Sequence, residues 1–374
     1  MKFKRCSIFC VIIFWLMALA CAKNENEILQ ARTQLDLART KSDIDGIFVA
    51  VNNLIQLGDT DPSLPAELAK VKKSLSLYEQ VRVSQSEGTH EKTILLANEF
   101  LEYFPNDIDV RKALRESGQI FRYLNESLDE FQSCFFKSAA GGFSYVSIKN
   151  AEYFQIDFDV VSQRMWNARQ SVEEALKRDP NFDTALNLRR LIVNAQIALS
   201  STLTKEIFST IGRHRPAVEN SFDVVHSEMQ KSIHSRFGSP KKVWKRFQPN
   251  MTTLEAIHKE EIIDLNRLAS LLPRLENEAN ENHIALVRNA VTIYDQYVNT
   301  VIYPRSTLME YGNDYLSMSS KWLEIDAWYR DIESTLNNLM DNITHIASLA
   351  MEFCLYKNEQ TPQIIQKRLE IIEL

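Results

Sequence analysis

The stretch ARQSVEEALKRDPNFDTALNL, residues 168–188, decides how this chain is read. Ala168, Val172, Ala175 and Leu176 recur at helical spacing and lay one apolar stripe along a rod. Asp179-Pro180-Asn181 then stops that rod, because proline has no amide hydrogen and its ring clashes with the preceding turn. Ala185, Leu186 and Leu188 open a second rod directly afterwards. Helix, proline stop, helix is therefore the unit to look for elsewhere.

It recurs. Asp61-Pro62-Ser63 and Phe104-Pro105-Asn106 each follow one apolar helical pattern and precede another. Working outward, periodicity and break signals predict helices over 24–41, 44–57, 65–84, 91–104, 107–136, 159–178 and 183–212. Ser42-Asp43 offers a capping break and Gly58 a helix stop. Past Pro216 the pattern lengthens, and helices are predicted over 217–237, 252–271, 275–303, 306–354 and 362–374, with bends or short turns at Pro273 and Pro304. Ile284, Val287, Val291, Tyr294, Val298 and Val301 form a stripe of threes and fours, the mark of a bundle helix. The aromatic-rich stretch 143–158, after Gly141-Gly142, reads as an irregular loop, a short helix or a hairpin.

Composition agrees. Nine Gly and ten Pro among 374 residues are too few for turn-rich β architectures, and 45% hydrophobic with 25% charged side chains is globular rather than disordered. The expected fold class is all-α: a short solenoid of antiparallel helical hairpins over 21–212, then a long-helix bundle over 213–374.

Residues 168–188 resemble the second helix and exit turn of a tetratricopeptide repeat. Ala97 to Asn106 is a poorer copy, and the likeness extends over roughly residues 24–200. The prolines of the three breaks lie 43 and 75 positions apart, where about 34 per repeat is usual. The Trp, Gly and Tyr of the first repeat helix are missing at the matching positions. A non-repeating helical bundle is the competing reading.

Residues 1–20 read as an address. Lys2, Lys4 and Arg5 precede the apolar run Ile8–Ala20, which is 13 residues long. That is a secretory signal pattern, and a spanning helix needs about 20 residues. Ala18-Leu19-Ala20-Cys21 resembles a bacterial lipobox, with Ala18 standing where Leu is usual. The resemblance implies cleavage before Cys21, a diacylglycerol on its thiol and an acyl chain such as palmitate on the new amine. It further implies an outer-membrane anchor facing the periplasm, since Ala22 is not the Asp that favours inner-membrane retention. A plain secretory signal, or an uncleaved anchor, is the alternative.

The chain carries 49 acidic and 43 basic side chains, a net charge of −6. Cleavage takes three bases and no acid, leaving −9, which disfavours nucleic acid as a partner. Cys134 and Cys354 either pair or remain as two buried thiols, and no metal or cofactor is expected. Against that acidity, Arg236, Lys241, Lys242, Lys245 and Arg246 stand together around Trp244 with no acid among 236–249. As a helical turn, 241–247 puts Val243, Trp244 and Phe247 on one face between cations. That composition suits an anionic surface, or a hairpin tip whose Trp tucks under the bundle.

Other candidates are plainer. The seven histidines lack metal-ligand spacing. Glu260, Glu261 and Asp264, and likewise Glu276, Glu278 and Glu281, form acidic helix faces that could serve cell-wall hydrolysis but are usually solvated. Arg213-His214-Arg215 reads as a phosphate grip at a helix end or a charged turn. Tyr294, Tyr297, Tyr303, Tyr311, Tyr315, Trp322, Trp328 and Tyr329 read as bundle core and rim, or as a ligand groove. The function expected is a lipid-anchored envelope scaffold or adaptor holding a protein or peptide partner without catalysis. A self-associating structural lipoprotein and a paired-carboxylate hydrolase are the alternatives.

Overall fold

Aspartates start three of the helices: the side chains of Asp43, Asp107 and Asp157 accept the amides of Gly46, Val110 and Val160. Asp43 accepts the Gly46 amide at 2.9 Å and starts α2, while Ser42 beside it takes the left-handed backbone that closes α1. The computed structural model describes residues 25–137, 143–148, 156–235, 239–275, 281–302 and 308–341. Among them are ten helices: α1 (25–41), α2 (Ile44–Gln56), α3 (Leu64–Ser86), α4 (His90–Tyr103), α5 (Ile108–Gln132), α6 (Phe158–Arg178), α7 (Asp183–His234), α8 (Pro240–Leu275), α9 (Glu281–Ile302) and α10 (Leu308–Asp341). The fold is all-α with sequential packing, and one short ribbon pairs β1 (Phe135–Lys137) antiparallel with β2 (Phe143–Tyr145). A hairpin was one of the expected forms of the Gly141-Gly142 region. Its first strand, however, takes residues that periodicity assigned to the end of α5.

The described residues divide into two compact units: those up to Tyr123 with Ala175–Phe182, and Leu124–Glu174 with those from Asp183 to Asp341. In the first, α2 packs on α3 and α3 on α4. Val51, Leu54, Val71, Val81, Ile94, Ala97 and Phe100 are buried, and Ala97 is small where two helices meet. Polar ties brace the outside. Arg32 forks onto Asp59 at 2.7 and 2.8 Å, and Arg39 forks onto Glu67 at 2.6 and 3.0 Å. Lys73 reaches both Glu99 and the Tyr103 hydroxyl.

In the second unit α7 packs against α8, α9 and α10, with α8 on α9 and α9 on α10. The expected stripe from Ile284 to Val301 is buried at all six positions. Ser127 donates to the Ala168 carbonyl at 2.6 Å, and Tyr145 to the Ala195 carbonyl at 3.2 Å, which fastens the ribbon to α7. Burial pushes the Tyr145 phenol well above its ordinary range, so it stays a donor.

Two expected helix breaks need correction. The expected break near 212–216, where the solenoid was to give way to the bundle, does not occur. α7 runs unbroken through Pro216 for 52 residues and lies wholly in the second unit. At about 1.5 Å per residue that is a rod near 80 Å long. An interior proline costs about 3 kcal/mol. Beyond it, Val218, Phe222, Val225 and Met229 are all buried, at about 1.5–3 kcal/mol each. The packing outweighs the proline. α8 likewise continues through Pro249 and Pro273, absorbing the basic stretch and the expected 252–271 helix into one rod.

Candidate functional site

The turn between α3 and α4 and the turn after α6 meet in the first unit, and His90 joins them. Gly88 takes a positive φ of 67° and lets the chain reverse so that His90 begins α4. Asp179 orders its own turn, since its Oδ1 accepts the Asn181 amide at 3.0 Å. Asp61 does the same for Ser63 at 2.9 Å, so the two Asp-Pro breaks share one geometry. The other oxygen of Asp179, Oδ2, lies 2.8 Å from His90 Nε2. A carboxylate only accepts, so Nε2 carries the proton. His90 Nδ1 faces the Ser117 hydroxyl of α5 at 3.2 Å, and Phe182 sets its edge against the imidazole at 4.9 Å. Asp179, His90 and Ser117 thus form one line across three segments separated by up to 89 positions.

Serine, histidine and aspartate in line suggest nucleophilic hydrolysis. Here Ser117 is 1% exposed and His90 5%, and both, with Asp179, lie in the wall of a cleft. The line is a clasp. Around it opens a cleft of about 510 Å³. Gln85, Glu87, Glu116, Gln119, Arg178 and Asn181 are among its lining residues. Gln85 donates to Glu116 at 3.1 Å, and the Arg178 guanidinium lies 5.0 Å from the Tyr123 ring. The walls therefore mix amide donors and acceptors with carboxylates and one planar cation. Such a lining can hydrogen-bond an extended backbone and its side chains.

Two of the carboxylates considered for hydrolysis, Glu261 and Asp264, have partners. In the second unit Glu261 accepts from His214 Nε2 at 2.6 Å and from the Tyr294 hydroxyl at 2.8 Å. Burial, then the nearby Glu261 charge, raises the Tyr294 phenol far above its ordinary range, so it remains a proton donor to that carboxylate. Asp264 pairs with Arg267, and Glu260 is exposed. Glu276 and Glu278 lie outside the described residues. His258, on the same stretch of α8, donates to Asp295 at 2.9 Å.

The Arg213-His214-Arg215 reading also changes. These residues sit in the middle of α7, not at a helix end. Arg213 reaches Glu206, and Arg215 reaches Glu219 and Asp326 while lying over Trp322. Each cation already has an acid. Tyr294, Tyr297 and Trp322 are core, and Tyr329 stacks on Phe208 at 4.2 Å, with Trp328 on the rim. Tyr303 lies outside the described residues. Cys134 is buried, its sulfur 3.4 Å from the Glu130 carbonyl, while Cys21, Cys354 and His345 lie outside the described residues. Among the described residues no cluster of His, Cys, Asp or Glu could hold a metal.

Residues 240–249 of the basic stretch form the first turns of α8. Ser239 caps α8 through its carbonyl, which accepts the Lys242 amide at 2.8 Å, and Pro240 takes the first helical position. Lys241, Lys242, Lys245 and Arg246 are exposed, and Val243, Trp244 and Phe247 are half-buried. Arg236 lies outside the described residues. Sequence reasoning passed over the His90 clasp, because nothing local marks residues 89 positions apart as neighbours.

Comparison with known protein families, characterised proteins and solved structures gave no match.

Proposed function

We propose that this chain is a scaffold or adaptor of the bacterial envelope, tethered by lipid on Cys21, that binds a peptide or protein segment in the cleft beside the His90 clasp. The cleft itself carries the reading. It is large enough for several residues of an extended chain, and its lining alternates amides, carboxylates and a guanidinium. Sequentially packed helices suit such a role, since stacked helical units expose long surfaces to partners. The tether follows from the lipobox resemblance at Ala18–Cys21, and the periplasmic face of the outer membrane is the place it implies. Two or more acyl chains anchor stably, because each buried methylene contributes about 0.8 kcal/mol.

Two measurements test the proposal. Cys21→Ser should remove the lipid mass and release the protein from membranes; a variant that stays on the membrane without lipid contradicts the tether. A photo-crosslinking residue at Gln119 should capture a discrete envelope polypeptide in cells. The same residue at exposed Leu316 should not, and Arg178→Glu should abolish the Gln119 adduct. Identical adducts from both positions, or adducts indifferent to Arg178, refute a cleft-borne partner.

A further inference from the structure

We infer that the first turns of α8, with the last turn of α7, form a docking surface for an anionic phospholipid bilayer. Three observations converge there. From Met229 to Leu254 the sequence has 26 residues without an acid, in a chain where acids occur 49 times in 374. Those 26 residues hold Lys231, Arg236, Lys241, Lys242, Lys245 and Arg246. No acid among the described residues pairs with Lys241, Lys242, Lys245 or Arg246, all of which are exposed. Lys231, on α7, has an ion-pair partner, Glu228 at 3.0 Å.

Apolar side chains accompany the charge. Ile233, in the last turn of α7, is 49% exposed. In the first turns of α8, Val243, Trp244 and Phe247 are half-buried. Cations around an accessible Trp and Ile give the interfacial signature in which rings and aliphatic groups sit at headgroup level while ammonium groups meet phosphate.

The third observation is a local rule broken. Helix N-termini favour acids, because the backbone dipoles place partial positive charge there. The first turn of α8 has no acid, and four cations fall within its first seven residues. Folding alone disfavours this arrangement, whereas a negatively charged plane satisfies it. The charge is also diffuse. It lies on flexible, exposed stems without the fixed, paired geometry that a folded acidic partner would match. A fluid charged surface fits better than a protein.

The inference does not rest on the Cys21 tether and is tested without it. Residues 22–374, which contain every described element, are incubated with vesicles of phosphatidylcholine, with and without three-tenths phosphatidylglycerol, and bound protein is measured by sedimentation. Binding to the anionic vesicles alone, weakened at high salt, is expected. Each cation near such a surface contributes about fivefold in partition. The variant Lys241→Gln, Lys242→Gln, Lys245→Gln, Arg246→Gln should therefore lose at least tenfold, and Ile233→Ser severalfold.

The control Lys41→Gln, Lys72→Gln, Lys92→Gln, Lys321→Gln removes the same charge from exposed sites elsewhere and should change binding less than twofold. Circular dichroism checks that the variants keep their helix content. Equal losses for the two quadruple variants, no binding by the unsubstituted chain, or equal binding to neutral vesicles overturns the inference. Binding to poly-glutamate without binding to vesicles also overturns it, assigning the surface to an acidic polypeptide.

Discussion

Two glycines test the clasp more sharply than removing its histidine. Gly58 and Gly88 both close helices with positive φ, 77° and 67°. A Cβ on Gly58 would meet nothing within 4 Å, whereas a Cβ on Gly88 would lie 3.0 Å from Asp179 Oδ2. A left-handed backbone costs a residue with a side chain about 1–2 kcal/mol. A stiffer unfolded chain returns about 0.4–1 kcal/mol. Gly58→Ala should therefore cost about 1 kcal/mol. Gly88→Ala adds a crowded carboxylate that cannot easily retreat, since Oδ1 holds the Asn181 amide and Oδ2 the imidazole. Loosening a hydrogen bond to a charged group costs about 1.5–3 kcal/mol. The expected total for Gly88→Ala is about 2–4 kcal/mol.

Hydrogen exchange suits the measurement, because it reads opening locally and is not confused by a second unit that unfolds separately. Protection should fall more for amides of 84–93 and 175–182 in Gly88→Ala than for amides around 54–59 in Gly58→Ala. On an Asp179→Ala background the penalty at Gly88 should shrink to that at Gly58. Equal penalties at the two glycines, or a Gly88 penalty untouched by Asp179→Ala, would refute the reasoning.

Two further outcomes follow from buried polar groups. Tyr294→Phe removes the donor to Glu261 and leaves a nearly buried carboxylate oxygen bare; urea unfolding should show a loss of about 2 kcal/mol, near the usual worth of a hydrogen bond to a charged group. Hydrogen bonding from Arg32 holds the Asp59 carboxyl below the usual carboxylate range. A depressed folded value means the contribution is present above the unfolded value of about 4 and lost as pH falls through the folded one. Protection of the α1–α2 amides should thus fall on acidification below about pH 4, and Arg32→Gln should lower protection at pH 7 but not at the acid end.

Much of the fold was legible because burial leaves a period in sequence. The stripe from Ile284 to Val301 is a straight consequence of 3.6 residues per turn, and Asp43, Gly58 and Asp179 act on their own neighbours. Prolines 216 and 273, read as helix breaks, were misleading for the opposite reason. Their cost is local and visible, while the packing that outweighs it comes from other helices and is not. The ribbon was half legible: a hairpin near Gly141-Gly142 was foreseen, but Phe135 and Phe136 continue a helical pattern and are drawn into the strand by pairing with residues 143–145. The basic stretch could be read since its residues are contiguous. The clasp could not, as no periodicity links Asp179 to His90.

The unbroken α7 makes the chain intolerant of length changes where a loop would have absorbed them. Deleting Gly212, which lies in the open, turns everything after it by about 100°. Val218, Phe222, Val225 and Met229 would swing from the interior toward water, and Arg215 would leave Asp326. Replacing Gly212 with another residue preserves the phase. At this point the number of residues matters more than their identity, so natural variation here should consist of exchanges rather than gains or losses.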